Sequence, residues 1–141
     1  MATVHETYDF DAPVERLYAH LSDHENLEPM LGLNVTRIKE GDEEPNGVGS
    51  VRKLSAKGLL PFEETVTEMI PNERIEYRVT KGTPLKNHLG VQVFSSTGEG
   101  KSHLDYTITF DTTVPGLDKL IAKGVGRSLR RGFPKAASAL S

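Results

Sequence analysis

Side chains able to do chemistry recur at two-residue spacing among apolar ones. In "FEETVTEMI" Glu64 shares a face with Phe62, Val66, Glu68 and Ile70, and in "RIEYRVT" Tyr77 lies with Ile75 and Val79. In "HLGVQVF" His88 lies with Gly90, Gln92 and Phe94; in "LDYTITF" Tyr106 lies with Leu104, Ile108 and Phe110. Glu6 stands likewise among Val4, Tyr8 and Phe10. Alternation of this kind marks half-buried strands, so each polar group faces the way its apolar neighbours do. An apolar wall with a few polar anchors is the usual lining of a small-molecule pocket. An ionised carboxylate facing such a wall must pair, shift its pKa, or touch water or ligand. His88, paired with Glu64 or Tyr106, could also serve as acid and base on a bound substrate.

Other chemistries are poorly served. "HLSDHE" sets His20 and His24 four apart with Asp23 between, a spacing that can hold a metal on a helix. No third ligand is evident, so these histidines read as solvated surface, with no metal and no cofactor expected. The chain has no cysteine, which excludes disulfides, thiolate nucleophiles and cysteine-bound zinc. No serine-histidine-acid order, phosphate loop or dinucleotide fingerprint is present; "GVGS" precedes a strand and reads as a turn. A formal net charge of −3 argues against nucleic acid or an anionic membrane as the main partner.

The elements that would position these residues follow from periodicity and turn chemistry. At 141 residues the chain has the length of one domain. "TVHETYDF" reads as a strand ending at "DAP", where Asp11 could cap a helix whose first turn holds Pro13. That helix carries Val14, Leu17, Tyr18 and Leu21, and "HENLEPML" makes a second, broken near Pro29. Six further strands are expected: "NVTRIKE", "GSVRKLSA", "FEETVTEMI", "RIEYRVT", "HLGVQVFSS" and "SHLDYTITFDTT". The intervening stretches hold Gly, Pro or Asn where a strand would fail, and the order suggests an antiparallel meander.

From Pro115 onward the period turns helical. Leu117, Leu120, Ile121, Gly124, Val125, Leu129, Phe133, Ala136 and Leu140 fall on or near one stripe. Pro134 is expected to kink the helix or end its first segment. Gly124 on the inward stripe reads as space for a ligand or as close packing. Arg127, Arg130, Arg131 and Lys135 form a basic cluster, read as a solvated face near the negative helix end.

Strand, two short helices, six strands and a long terminal helix resemble the helix-grip fold of the START-like superfamily. "YDFDAPVERLYAHLSDHENL" looks like the opening of its polyketide cyclase/dehydrase and lipid-transport branch, and "YRVTKGTPLKNHLGVQVF" and "LDYTITFD" resemble its later strands. The resemblance covers nearly the whole chain. It implies an α+β fold: a seven-stranded curved antiparallel sheet around the C-terminal helix, in one domain over residues 1–141, with a cavity between sheet and helix. "KGLLPFEE" is similar to the gate loop of plant abscisic-acid receptors, with Leu60 and Pro61 at its tip. "GTPLKNH" stands where those receptors latch the gate; Leu85 and Asn87 match, while Thr83 and Pro84 replace a His-Arg pair. That departure argues against a hormone receptor.

The expected function is binding or transfer of a small hydrophobic molecule, such as a lipid, isoprenoid or polyketide. The expected contacts are Leu60, Pro61, Phe62, Glu64, Tyr77, Leu85, His88, Gln92, Tyr106, Ile108, Leu120, Ile121 and Gly124. The stretch from Lys81 to Gly90 reads as one lip of the cavity mouth. The alternatives are an aromatase/cyclase-type enzyme and a protein-interaction domain. The start lacks the pattern of a secretory signal and no apolar run could span a bilayer, so a cytoplasmic protein without integral membrane association is expected.

Overall fold

The computed structural model describes residues 1–57, 59–82 and 84–141. Gly58 and Thr83, which the sequence places in the gate-like and latch-like loops, lie outside the described residues. In chain order the elements are β1 (Ala2–Phe10), α1 (Val14–Ser22), α2 (His24–Leu31), β2 (Asn34–Lys39), β3 (Val51–Ala56) and β4 (Leu59–Ile70). There follow β5 (Arg74–Lys81), β6 (Leu85–Gly98), β7 (Lys101–Thr112) and α3 (Leu117–Leu140). The seven strands form one sheet in the order β1-β7-β6-β5-β4-β3-β2. Every neighbouring pair is antiparallel. With two short helices after the first strand and the long one last, this is the α+β helix-grip arrangement.

The helix ends differ from expectation. Asp11 is exposed and does not cap α1; Pro13, in extended geometry, is the capping residue and has no side chain to offer. The Pro13 carbonyl accepts the amides of Arg16 and Leu17 at 3.0 and 3.1 Å. The turn before it is held from across the sheet, where buried Ser102 Oγ donates to the Ala12 carbonyl at 2.7 Å. In α2 the Asp23 carboxylate accepts the Glu25 amide at 3.0 Å, and the helix runs past Pro29 to a left-handed Gly32.

Two irregularities in the sheet shape its inner surface. In β4 the register with β5 shifts between Val66 and Glu68. A bulge inserts one residue and reverses the alternation beyond it. Met69 therefore turns inward, while Glu68 and Ile70, expected on the inner face, are exposed. The second irregularity lies between β5 and β6, whose pairing runs only from Arg74↔Val93 to Tyr77↔Gly90. Beyond Tyr77 the two strands part, and β6 continues against β7 alone, with a register shift between Lys86 and Leu89. Asn87, at that shift, and Gly82 both have positive φ. The special residues of "KGTPLKNHLG" thus serve a parted hairpin with a bulge. Only residues 82–84 separate the strands, so the long lip expected here is mostly strand.

One face of the second half of α3 is buried in the core. Phe133 stacks on Tyr8 at 4.2 Å between centroids and meets Phe10 and Tyr106 edge-on. Leu129, Ala136 and Leu140 are buried on the same side. Gly132 lets α3 approach α2, since a Cβ there would collide with the Met30 carbonyl. Of the two outcomes expected at Pro134, a kink or an end to the first segment, the second does not occur, since the helix runs on through it.

Candidate functional site

Between the sheet and helices α2 and α3 lies a cavity of about 150 Å³. Leu27 and Met30 of α2, Val66 and Met69 of β4, Ile108 and Phe110 of β7, and Val125 and Leu129 of α3 supply apolar walls. Ten polar or charged residues also line it: Ser22, His24, Asn46, Arg52, Glu64, Tyr77, His88, Gln92, Tyr106 and Ser128. Most of these groups already have partners.

Arg52 and Glu64 stand directly opposite each other on β3 and β4, and Arg52 Nε donates to Glu64 Oε1 at 2.8 Å. Both are buried, at 7% and 8% exposure. Charges so placed are tolerated when paired and hydrogen-bonded. Burial opposes the Arg52 charge, but Glu64 and the nearby tyrosines outweigh it and raise the guanidinium's pKa. The same guanidinium lies 4.9 Å from the centre of the Tyr77 ring, a cation–π contact.

The Tyr77 and Tyr106 hydroxyls are hydrogen-bonded to each other. Burial, reinforced by Glu64, pushes Tyr106 up to about 12. Burial together with Tyr106 and Glu64 raises Tyr77 well above an ordinary tyrosine. Both hydroxyls therefore keep their protons at neutral pH.

His88 closes the gap where β5 and β6 part. The Val79 amide, which lacks a β6 ladder partner, donates to His88 Nδ1 at 3.0 Å. Burial lowers the His88 pKa, with the Glu64 charge pulling the other way. With Nδ1 accepting, the proton of the neutral ring sits on Nε2.

His24 is the site residue that sequence reading misplaced. It is 2% exposed and lines the cavity, where solvated surface was expected. The reason is helical phase: His24, Leu27 and Met30 form the buried stripe of α2. Burial, and then the charges of Arg52 and Arg37, lower its pKa from 6.5 to about 4. Among the described residues no group of three metal-ligating side chains converges.

The family described as "Polyketide cyclase / dehydrase and lipid transport" matches residues 1–140. The chain belongs to this family. Solved structures share its fold. TTHA0849 from Thermus thermophilus aligns over 99% of both chains with a TM-score of 0.78 and 24% identity. XoxI from Bacillus cereus gives 0.75 at 16% identity, over 99% of this chain and 96% of its own. Aha1 from Colwellia psychrerythraea, solved as a dimer, gives 0.71 at 17% identity with the same two coverages, 99% and 96%. At these identities the likeness is one of fold. No curated protein matches the chain.

Within this family member, the structure brings eight of the expected contact residues to the cavity wall: Phe62, Glu64, Tyr77, Leu85, His88, Gln92, Tyr106 and Ile108. Five lie elsewhere. Leu60 and Pro61 belong to strand β4, which pairs with β3 as far as Ala56↔Leu59, and both are exposed. Leu120 is 68% exposed and Gly124 faces open space, while half-buried Ile121 packs on the core without lining the cavity. The α3 lining comes instead from Val125, Ser128 and Leu129. Each residue turns a helix by about 100°, so Gly124 lies off the face that holds Val125.

Glu6 is also outside the cavity. It accepts from Arg130 Nη1 and from the Tyr8 hydroxyl, each at 3.3 Å, in a groove between β1 and α3. Arg130 of the basic cluster is thus paired, although exposed. Arg52 was missed altogether. The alternation of "VRKLSA" places it with Leu54, and both are buried, so the signal was present.

Proposed function

We propose that the chain binds a small hydrophobic molecule in the cavity and holds it without chemical change. The observation that carries this reading is an apolar cavity whose polar groups are largely engaged with one another. Arg52 is committed to Glu64, Tyr77 to Tyr106, and His88 to the Val79 amide. Acid-base catalysis needs a group free to take or give a proton near pH 7. Of the groups an aromatase/cyclase would use, Glu64 is ion-paired through Oε1, His88 is held through Nδ1, and Tyr106 keeps its proton. This supports binding over catalysis.

A volume of about 150 Å³ suits a single ring or a short aliphatic segment. A whole lipid, isoprenoid or polyketide would enter in part, or part the half-buried Phe62 and Leu85. No helix of the described residues is long and apolar enough to cross a membrane. The reading includes a single domain over residues 1–141 working in the cytoplasm, with a small molecule rather than nucleic acid as partner.

The test is extraction of natively purified protein followed by mass spectrometry, with benzene titrated into the emptied protein and followed by NMR. A co-purifying lipophile, or benzene shifts confined to the cavity residues, supports the reading. The absence of both a co-purifying lipophile and benzene binding would overturn it.

A further inference from the structure

His24 Nδ1 is the one side-chain nitrogen or oxygen among the described residues that is buried without a hydrogen-bond partner. Native proteins rarely leave such an atom unpaired, and each instance calls for a missing partner. The residue is a wall of the cavity and 2% exposed. The other polar wall groups do not serve it: Arg52 donates to Glu64, the tyrosines bond each other, and His88 receives Val79.

The chemistry of the absent partner is constrained from three sides. The imidazole is neutral near pH 7, so one nitrogen donates and the other accepts. Its Nε2 lies 3.5 Å from Ser50 Oγ, and a serine hydroxyl can act in either sense. Nδ1 is then an acceptor or a donor, and a hydroxyl satisfies both cases. A guest cation would meet the Arg52 charge. A guest carboxylate would be buried beside Arg52, whose charge Glu64 already compensates, and the other cation acting on His24, Arg37, is exposed and solvated. Apart from the neutral side chains of Ser22, Asn46, Gln92 and Ser128 the remaining walls are apolar, and a cavity of about 150 Å³ admits a molecule the size of benzene.

We propose that the cavity takes an uncharged, hydroxyl-bearing molecule of about one ring, a phenol or cyclic alcohol, with its hydroxyl on His24 Nδ1. This rests on the binding function proposed above and names its ligand class. His24 is then a specificity-determining residue.

Benzene, phenol and benzoate, titrated by NMR into wild type, His24→Leu and His24→Gln, separate the possibilities. Benzene and phenol should both bind wild type, and benzoate should not. The preference for phenol over benzene should fall about 5- to 10-fold in His24→Leu, the scale of one hydrogen bond. His24→Gln, which keeps a donor and an acceptor, should retain part of it and serves alone if His24→Leu does not fold. An unchanged phenol preference in the variants, or benzoate binding as well as phenol, overturns the inference while leaving the binding function standing. Failure of both benzene and phenol to bind overturns the inference, and where no lipophile co-purifies either, the binding function falls with it.

Discussion

The ring of Tyr77 lies across Gly90, its partner in the β5–β6 register, and occupies the space where any side chain at position 90 would begin. A Cβ on Gly90 would overlap the ring itself. That vacancy lets the Tyr77 hydroxyl reach Tyr106 while its face meets Arg52. Gly90→Ala is expected to cost about 1–3 kcal/mol, the usual penalty for overpacking. Urea denaturation measures it, and stability equal to wild type would mean that the ring moves without loss.

The Arg52–Glu64 pair predicts a pronounced asymmetry. Removing one charge by Glu64→Leu or Arg52→Met leaves the other buried alone and should cost about 3–5 kcal/mol. Removing both together should cost far less, because the double variant buries no orphan charge. A double-mutant cycle by chemical denaturation reads the difference. Additive single effects would contradict the pairing.

His24 gives an acid dependence whose sign follows from its lowered pKa of about 4. An unfolded histidine takes up its proton near pH 6.5, while the folded one resists until about pH 4. Between those values the unfolded state binds more protons, so stability falls as pH drops from about 6.5 to 4. The loss should be on the order of 2 kcal/mol, allowing for partial screening. His24→Leu should flatten this part of the stability curve; an unchanged slope would show that other groups carry it.

The glycines of α3 should respond in opposite directions. Gly124 is exposed with nothing near its missing Cβ, so Gly124→Ala should stabilise by about 0.5–1 kcal/mol through helix propensity. Gly132 faces the backbone of α2, and Gly132→Ala should destabilise by about 1–3 kcal/mol because the Met30 carbonyl stands in the way. Thermal melts of the two variants compare them directly. A stable Gly132→Ala protein would require α2 and α3 to separate without penalty.

Much of the fold was legible because strands and helices announce themselves locally. Two-residue alternation and turn chemistry revealed the strands, and helical period marked α3 and its buried Leu129, Phe133, Ala136 and Leu140. The same alternation brought Phe62, Glu64, Tyr77, His88, Gln92, Tyr106 and Ile108 to one side. Each such pattern is written in neighbouring residues, and it held until a bulge broke it at Val66. Beyond that point Glu68 and Met69 exchanged faces, which no local period announces.

By itself, then, the amino-acid order determined the elements, most of the strands' inward faces and the family. Only tertiary structure decided that Arg52 meets Glu64, that His88 rather than β6 backbone satisfies Val79, and that His24 is buried. It also decided that α3 turns Val125 and not Gly124 toward the sheet, and that the cavity is small. The reason is that these outcomes depend on register and helix phase. Both are fixed by contacts between residues far apart in the chain, where a shift of one position turns a side chain from the wall to the solvent.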